Sequence, residues 1–264
     1  MTRYFLLSLF SLLWVCVAVA QPAAFSGRKV HLYLLAGQSN MAGRGKVDAE
    51  SKQTHPRVWM LDQAGKWVPA TDPMHFDKPA VIGVGPGLTF GRLMAEADTS
   101  VVIGLVPVAV GGSAIDSWIP GGYHDQTKSY PYDDALRRAK LAQQAGVYRG
   151  ILWHQGESDS KPELTVTYTQ KFIKLAERLR TELNAPEVPI VVGTLGDFFV
   201  VRNADAATIN QILKALPQRV PGLACVDATG LTHLGDNTHF DTASARELGR
   251  RYALAMQQLQ RKLK

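Results

Sequence analysis

Residues 30–43 read VHLYLLAGQSNMAG, and this stretch decides the fold. Val30–Leu35 is a short apolar run, and the small polar residues Gly37-Gln38-Ser39-Asn40-Met41-Ala42-Gly43 follow it directly. Such a run, bounded by turn residues, reads as a buried strand that ends in a tight turn. Four more runs of the same kind follow at Val101–Val108, Gly150–Trp153, Pro189–Thr194 and Leu223–Asp227. Helical patterns occupy the intervals: Leu88–Ala97, Asp133–Ala145, Leu164–Leu183, Ala206–Leu216 and Ala243–Leu263. Alternation of strand and helix predicts a five-stranded parallel sheet with right-handed crossovers, in an α/β class three-layer α/β/α sandwich.

The irregular part of the chain is Arg44 to Gly87. Within it, Val58–Leu61 and Lys66–Val68 flank Asp62-Gln63-Ala64-Gly65 as a hairpin. An excursion after the first strand belongs at the sheet's carboxyl edge, where it either walls a ligand cleft or decorates the surface.

Composition sets the outer bounds. The chain has 264 residues, 46% hydrophobic and 20% charged, a globular balance that one domain accommodates. Residues 1–20 stand apart as a signal peptide: Arg3 is the positive start, Tyr4–Val17 the apolar run, and Ala18-Val19-Ala20 the small-x-small cleavage pattern. The expected mature protein is a single domain over residues 21–264, exported to a periplasm or secreted, with no stable membrane anchor once the leader is cleaved. Cleavage removes Cys16 and leaves Cys225 alone, so no intrachain disulfide is expected. The net charge of +6 is mild and no dense Lys/Arg run precedes the last few residues, which argues against nucleic-acid binding.

The unusual polar residues follow strand ends. Gly111-Gly112-Ser113 comes after the second strand, His154-Gln155-Gly156-Glu157-Ser158-Asp159 after the third, and His233-Leu234-Gly235-Asp236-Asn237-Thr238-His239 after the fifth. In a parallel sheet these loops converge on one edge, so residues 200 apart can share a pocket. Ser39 at a strand-to-helix turn presents its hydroxyl and its backbone N–H at a helix N-terminus, a position that suits a nucleophile and also suits a plain N-cap. A nucleophile needs a base, and the Asp-x-x-His of Asp236 and His239 offers an imidazole with a carboxylate to fix its tautomer. That close spacing argues against an α/β-hydrolase, which uses Gly-x-Ser-x-Gly and separates its histidine from its acid. For a developing oxyanion, Ser39 and Gly112 offer backbone N–H groups and Gln155 a side-chain amide. Glu157 is a second candidate for the acid partner. The seven histidines include no His-Glu-x-x-His or Cys/His cluster, so no catalytic metal is expected. Trp118, Trp59 and Trp67 are candidates to stack on sugar rings, and more readily candidates for the core.

In order along the chain, Gly37–Gly43, Gly85-Pro86-Gly87, Gly111-Gly112-Ser113, Trp153–Asp159 and Asp236–Asp241 closely resemble motifs of the sialate O-acetylesterase-like branch of SGNH hydrolases. Family 6 carbohydrate esterases, which include acetylxylan esterases, are the nearest resemblance within it, over about Val30 to Tyr252. The resemblance implies a flavodoxin-like fold, Ser39 as nucleophile, His239 with Asp236 as base, Ser39, Gly112 and Gln155 as oxyanion donors, and no cofactor. Glutamine at 155 departs from the asparagine of the wider SGNH pattern. The implied substrate is an acetylated carbohydrate. Other SGNH esterases, acting on sialic acid, pectin or lipids, are the rivals in chemistry, and an inactive carbohydrate-binding protein is the rival in class.

Overall fold

The computed structural model describes residues 22–262; the leader assigned from the sequence lies outside the described residues. One seven-stranded sheet organises the chain. It comprises β1 (Lys29–Gly37), β2 (Val58–Leu61), β3 (Trp67–Pro69), β4 (Val101–Pro107), β5 (Val147–His154), β6 (Ile190–Gly193) and β7 (Leu223–Val226). The strand order is β3-β2-β4-β1-β5-β6-β7. Every neighbouring pair is parallel except β2 with β3. The five strands expected from the sequence, numbered among themselves, therefore run 2-1-3-4-5, which is the flavodoxin-like order.

The count of seven corrects the expected five. The hairpin read from the sequence exists, with Leu61 opposite Trp67 and Trp59 opposite Pro69, while other parts of the same excursion, Arg44 and Lys78, wall the cleft at Ser39. The hairpin's first strand pairs with β4, Val58 opposite Ile103, and so extends the sheet. Trp67 and Trp59 pack edge-on against Phe25 at that margin, away from the polar strand-end loops.

Period-two alternation in the strands sorts side chains into two cores. Leu32, Leu34, Ile151, Trp153 and Val192 face one way, beneath α3 (Pro131–Gln143), α4 (Pro162–Glu182) and α6 (Ala204–Ala215). Tyr33, Leu35, Ile103, Leu105 and Val191 face the other way, beneath α2 (Gly87–Ala97) and α7 (Thr242–Lys262). The five long helices match those read from the sequence to within two residues at each end. The helix expected to begin at Ser39 is a single turn, α1 (Ser39–Ala42), and one further one-turn helix was not anticipated, α5 (Asp197–Val200). Both are too short for a periodic pattern to reveal.

At the carboxyl edge β1 and β5 come very close. Gly37 has φ +128°, and a Cβ there would sit 2.1 Å from the His154 carbonyl oxygen. Only glycine allows this approach, and it sets where the next residues emerge. Gly37→Ala is therefore expected to cost about 2–4 kcal/mol through backbone strain and overpacking, read as a lowered urea midpoint in chemical unfolding.

Candidate active site

Ser39 opens α1 immediately beyond β1, with Oγ on a cleft of about 390 Å³ bordered by Gln38, Arg44, Lys78, Gly112, Phe199 and His239. His239 Nε2 lies 3.0 Å from Ser39 Oγ, and His239 Nδ1 lies 2.6 Å from Asp236 Oδ2. The other Asp236 oxygen accepts the backbone N–H groups of Thr238 and His239, each at 2.9 Å. Partial burial opposes ionisation of Asp236, but these bonds from His239 and Thr238 outweigh it and hold the carboxyl below its ordinary range. A carboxylate kept ionised against Nδ1–H fixes the tautomer that leaves Nε2 as acceptor for a serine proton.

The loop after β7 is shaped for this. His233 Nδ1 accepts the N–H groups of Gly235 and Asn237, while Leu234 N–H donates to the His239 carbonyl. Gly235 at φ +120° and Asn237 at φ +56° turn the chain tightly enough to bring Asp236 back onto the imidazole. A second Asp-x-x-His, Asp72 to His75, has the same spacing. Both its members are buried and the His75 ring faces the Leu35 carbonyl. Burial drives the His75 pKa down to about 4.

Two backbone N–H groups on the cleft, those of Ser39 and Gly112, have no acceptor among the described residues. Gly112 sits at φ +84°, in a turn braced from behind. Asp77 Oδ2 accepts from Gly111 N–H at 2.7 Å and from Arg44 Nη2 at 2.8 Å, and both charged side chains are buried. Ser158 Oγ donates to the Gly112 carbonyl at 2.9 Å. Two unsatisfied donors on the same cleft as a hydroxyl are the kind of groups that stabilise an oxyanion.

Gln155 does not join them. Its side chain is wholly buried, and the two hydrogens of its Nε2 are shared among Gln38 Oε1, the Ser113 carbonyl and Asp159 Oδ2, while Tyr168 donates to its Oε1. The amide is thus spent on joining the loops after β1, β4 and β5, and the expected oxyanion role is corrected to a structural one. Trp118 is corrected likewise. It is fully buried, packs edge-on against Trp153 at 5.0 Å, and donates to Ser113 Oγ, so no sugar can reach it.

Glu157 borders the same cleft but does not touch His239, which places Asp236 alone on Nδ1. Its Oε1 accepts from Asn40 Nδ2, and its Oε2 is enclosed with no partner. Asn40 also donates to the Thr238 carbonyl at 3.0 Å and accepts from Phe240 N–H at 3.1 Å. This side chain ties the serine turn to the histidine loop, a role that the sequence signalled only by its place next to Ser39. Asp77 and Lys78 lie in the irregular stretch where no pattern pointed to them, and Phe199 lies on the unanticipated α5. Among the described residues no group of three or more His, Cys, Asp or Glu side chains is placed to hold a metal.

A family model described as carbohydrate esterase, sialic acid-specific acetylesterase, matches residues 29–258. The chain belongs to that carbohydrate esterase family. A probable carbohydrate esterase of Arabidopsis thaliana is 32% identical over 243 residues, spanning 83% of this chain and 86% of the relative. The crystal structure of an Arabidopsis thaliana protein superposes with a TM-score of 0.77 at 29% identity, over 86% of this chain and 98% of that one. Two structures at 20% identity share the fold. NanS has a TM-score of 0.72, over 89% of this chain and 98% of that one. A carbohydrate acetylesterase from Xanthomonas citri has a TM-score of 0.65, over 89% of this chain and 57% of that one.

Two tests follow from the esterase's cleft. Removing the brace behind Gly112 with Asp77→Ala leaves Arg44 buried without its partner and frees the turn, so kcat on a small acetate ester is expected to fall by roughly 10²-fold, measured in steady state on protein shown folded by circular dichroism. Burial pushes the Glu157 carboxyl up to about 7, with the Asn40 bond opposing. The folded state then holds a proton that the unfolded chain releases near the ordinary glutamate range, so stability is greatest below that range and is lost as pH rises through 7. Glu157→Gln removes that loss and should be about 1–3 kcal/mol more stable relative to the parent at pH 8.5 than at pH 4.5, read from urea midpoints at the two pH values.

Proposed function

We propose that the protein removes O-acetyl groups from a carbohydrate by serine acyl transfer. The single observation that carries the reading is the continuous chain from Asp236 through His239 to Ser39, closed on the cleft side by the free N–H groups of Ser39 and Gly112. Ser39 Oγ attacks the acetyl carbonyl as His239 Nε2 takes its proton, and the carbonyl oxygen becomes an anion that accepts the two N–H groups. His239 then gives the proton to the departing sugar oxygen, leaving acetate esterified to Ser39. A water, deprotonated by the same imidazole, attacks that ester, and acetate leaves with the serine restored. The cycle consumes one water and needs no cofactor.

An acetylated polysaccharide of the xylan type is the substrate favoured by the resemblance in sequence, and an exported protein, as the leader pattern suggests, would meet it outside the cytoplasm. A sialate ester is the second reading. One observation favours it besides the family's description: Lys78 borders the cleft and its Nζ is held by the neutral Gln126 amide at 2.8 Å, which leaves its charge for a sugar carboxylate. A binding protein without turnover has no need of a hydroxyl and an imidazole in register at 3.0 Å.

The test is acetate release from acetylated xylan, acetylated pectin, peptidoglycan and O-acetyl sialic acid, with a small aryl acetate as reference. Ser39→Ala should lose on the order of 10³-fold or more in kcat on every substrate that the parent cleaves, with an unchanged melting temperature. Near-parental turnover by the variant would remove Ser39 from the chemistry.

A further inference from the structure

Gly121–Tyr130 forms a projecting loop between β4 and α3 that the chemistry at Ser39 does not use. His124 and Ser129 pair across it, His124 N–H to the Ser129 carbonyl at 2.8 Å and Ser129 N–H back at 3.3 Å. Its tip leans on the cleft: Gln126 Oε1 receives Lys78 Nζ and sits 2.7 Å from where a Gly112 Cβ would be. Its stem is held as well, because the His124 ring lies 3.3 Å from the Gly111 carbonyl. Side chains alternate across a paired segment, so with His124 turned inward its neighbour Tyr123 turns outward.

On that outward side stand two tyrosines. Tyr123 and Tyr130 are 48% and 47% exposed, with ring centroids 5.2 Å apart and planes inclined at 56°. Neither hydroxyl has a hydrogen-bond partner among the described residues. An exposed pair of aromatic rings on a loop fastened at both ends is costly to leave in water and needs little ordering to bind. Tyr123 directly precedes His124, whose ring is held at the Gly111 carbonyl on the rim of the cleft, which places the pair beside the Ser39 cleft.

We infer that Tyr123 and Tyr130 form a sugar-stacking platform that holds an extended glycan beside the cleft, so that the esterase acts on chains in preference to single acetylated sugars. The inference rests on the carbohydrate reading of Ser39, and its occupant is an oligosaccharide or polysaccharide reaching outward from the bound acetyl ester.

The experiment compares the parent, Tyr123→Ala/Tyr130→Ala and Tyr123→Phe/Tyr130→Phe on four probes: a small aryl acetate, an acetylated monosaccharide, acetylated xylo-oligosaccharides of increasing length, and acetylated glucomannan. The platform requires the parent to have a lower KM for the longer chains than for the monosaccharide. It also requires the double alanine variant to raise KM for those chains about tenfold, equivalent to about 1.4 kcal/mol, with kcat and aryl acetate turnover unchanged. The phenylalanine variant should keep most of the chain-length effect, since stacking uses ring faces. A parent without preference for longer chains, or a double alanine variant with parental KM on them, overturns the platform. Loss of aryl acetate turnover by the parent itself would instead strike the reading of Ser39, which keeps the two failures distinct.

Discussion

The arrangement at the cleft depends on one side chain that performs no chemistry. The Asn40 amide donates to Glu157 from β5's loop and to the Thr238 carbonyl from β7's loop, and its oxygen accepts the Phe240 N–H. Ser39 and His239 are separated by 200 positions in sequence, and their 3.0 Å contact needs both loops fixed to within a fraction of that distance. Because Asn40 directly follows Ser39 on a rigid one-turn helix, whatever positions the amide also positions the hydroxyl. A buried amide with all of its bonds made specifies one geometry far more sharply than apolar contact does.

Behind this first tie stands a second. Gln155, Gln38, Asp159 and Tyr168 form a buried polar network that fastens the loops after β1, β4 and β5 to one another. Asp77 does the same for the Gly111-Gly112 turn through Arg44. The cleft is therefore lined by groups whose supports are themselves hydrogen-bonded, which is how donors stay aimed at a point that is empty until a transition state forms.

Much of this was legible in the sequence, and the failures have physical causes. Buried runs such as Val30–Leu35 announced their strands because a parallel sheet leaves no face for polar residues. The convergence of Ser39, Gly112, Asp236 and His239 followed from topology, since all lie in the loops that leave the carboxyl ends of strands. Gln155 misled because position on a loop does not give the direction of a side chain: one residue in the loop faces the cleft and its neighbour faces the network beneath. Trp118 misled because residue type carries no information on burial when the neighbouring elements are unknown. Asp77 and the pairing of β2 with β4 lay in a stretch without periodicity, where contacts are set by distant partners.

The hairpin at the sheet margin has a bearing on the protein's solubility. A parallel sheet ending on β2 would present a row of unpaired N–H and C=O groups ready to recruit another chain. The outermost strand is instead β3, three residues long, antiparallel, and ending in Pro69, which has no N–H to offer. The long excursion after β1 thus leaves the sheet with an edge too short to template a neighbour.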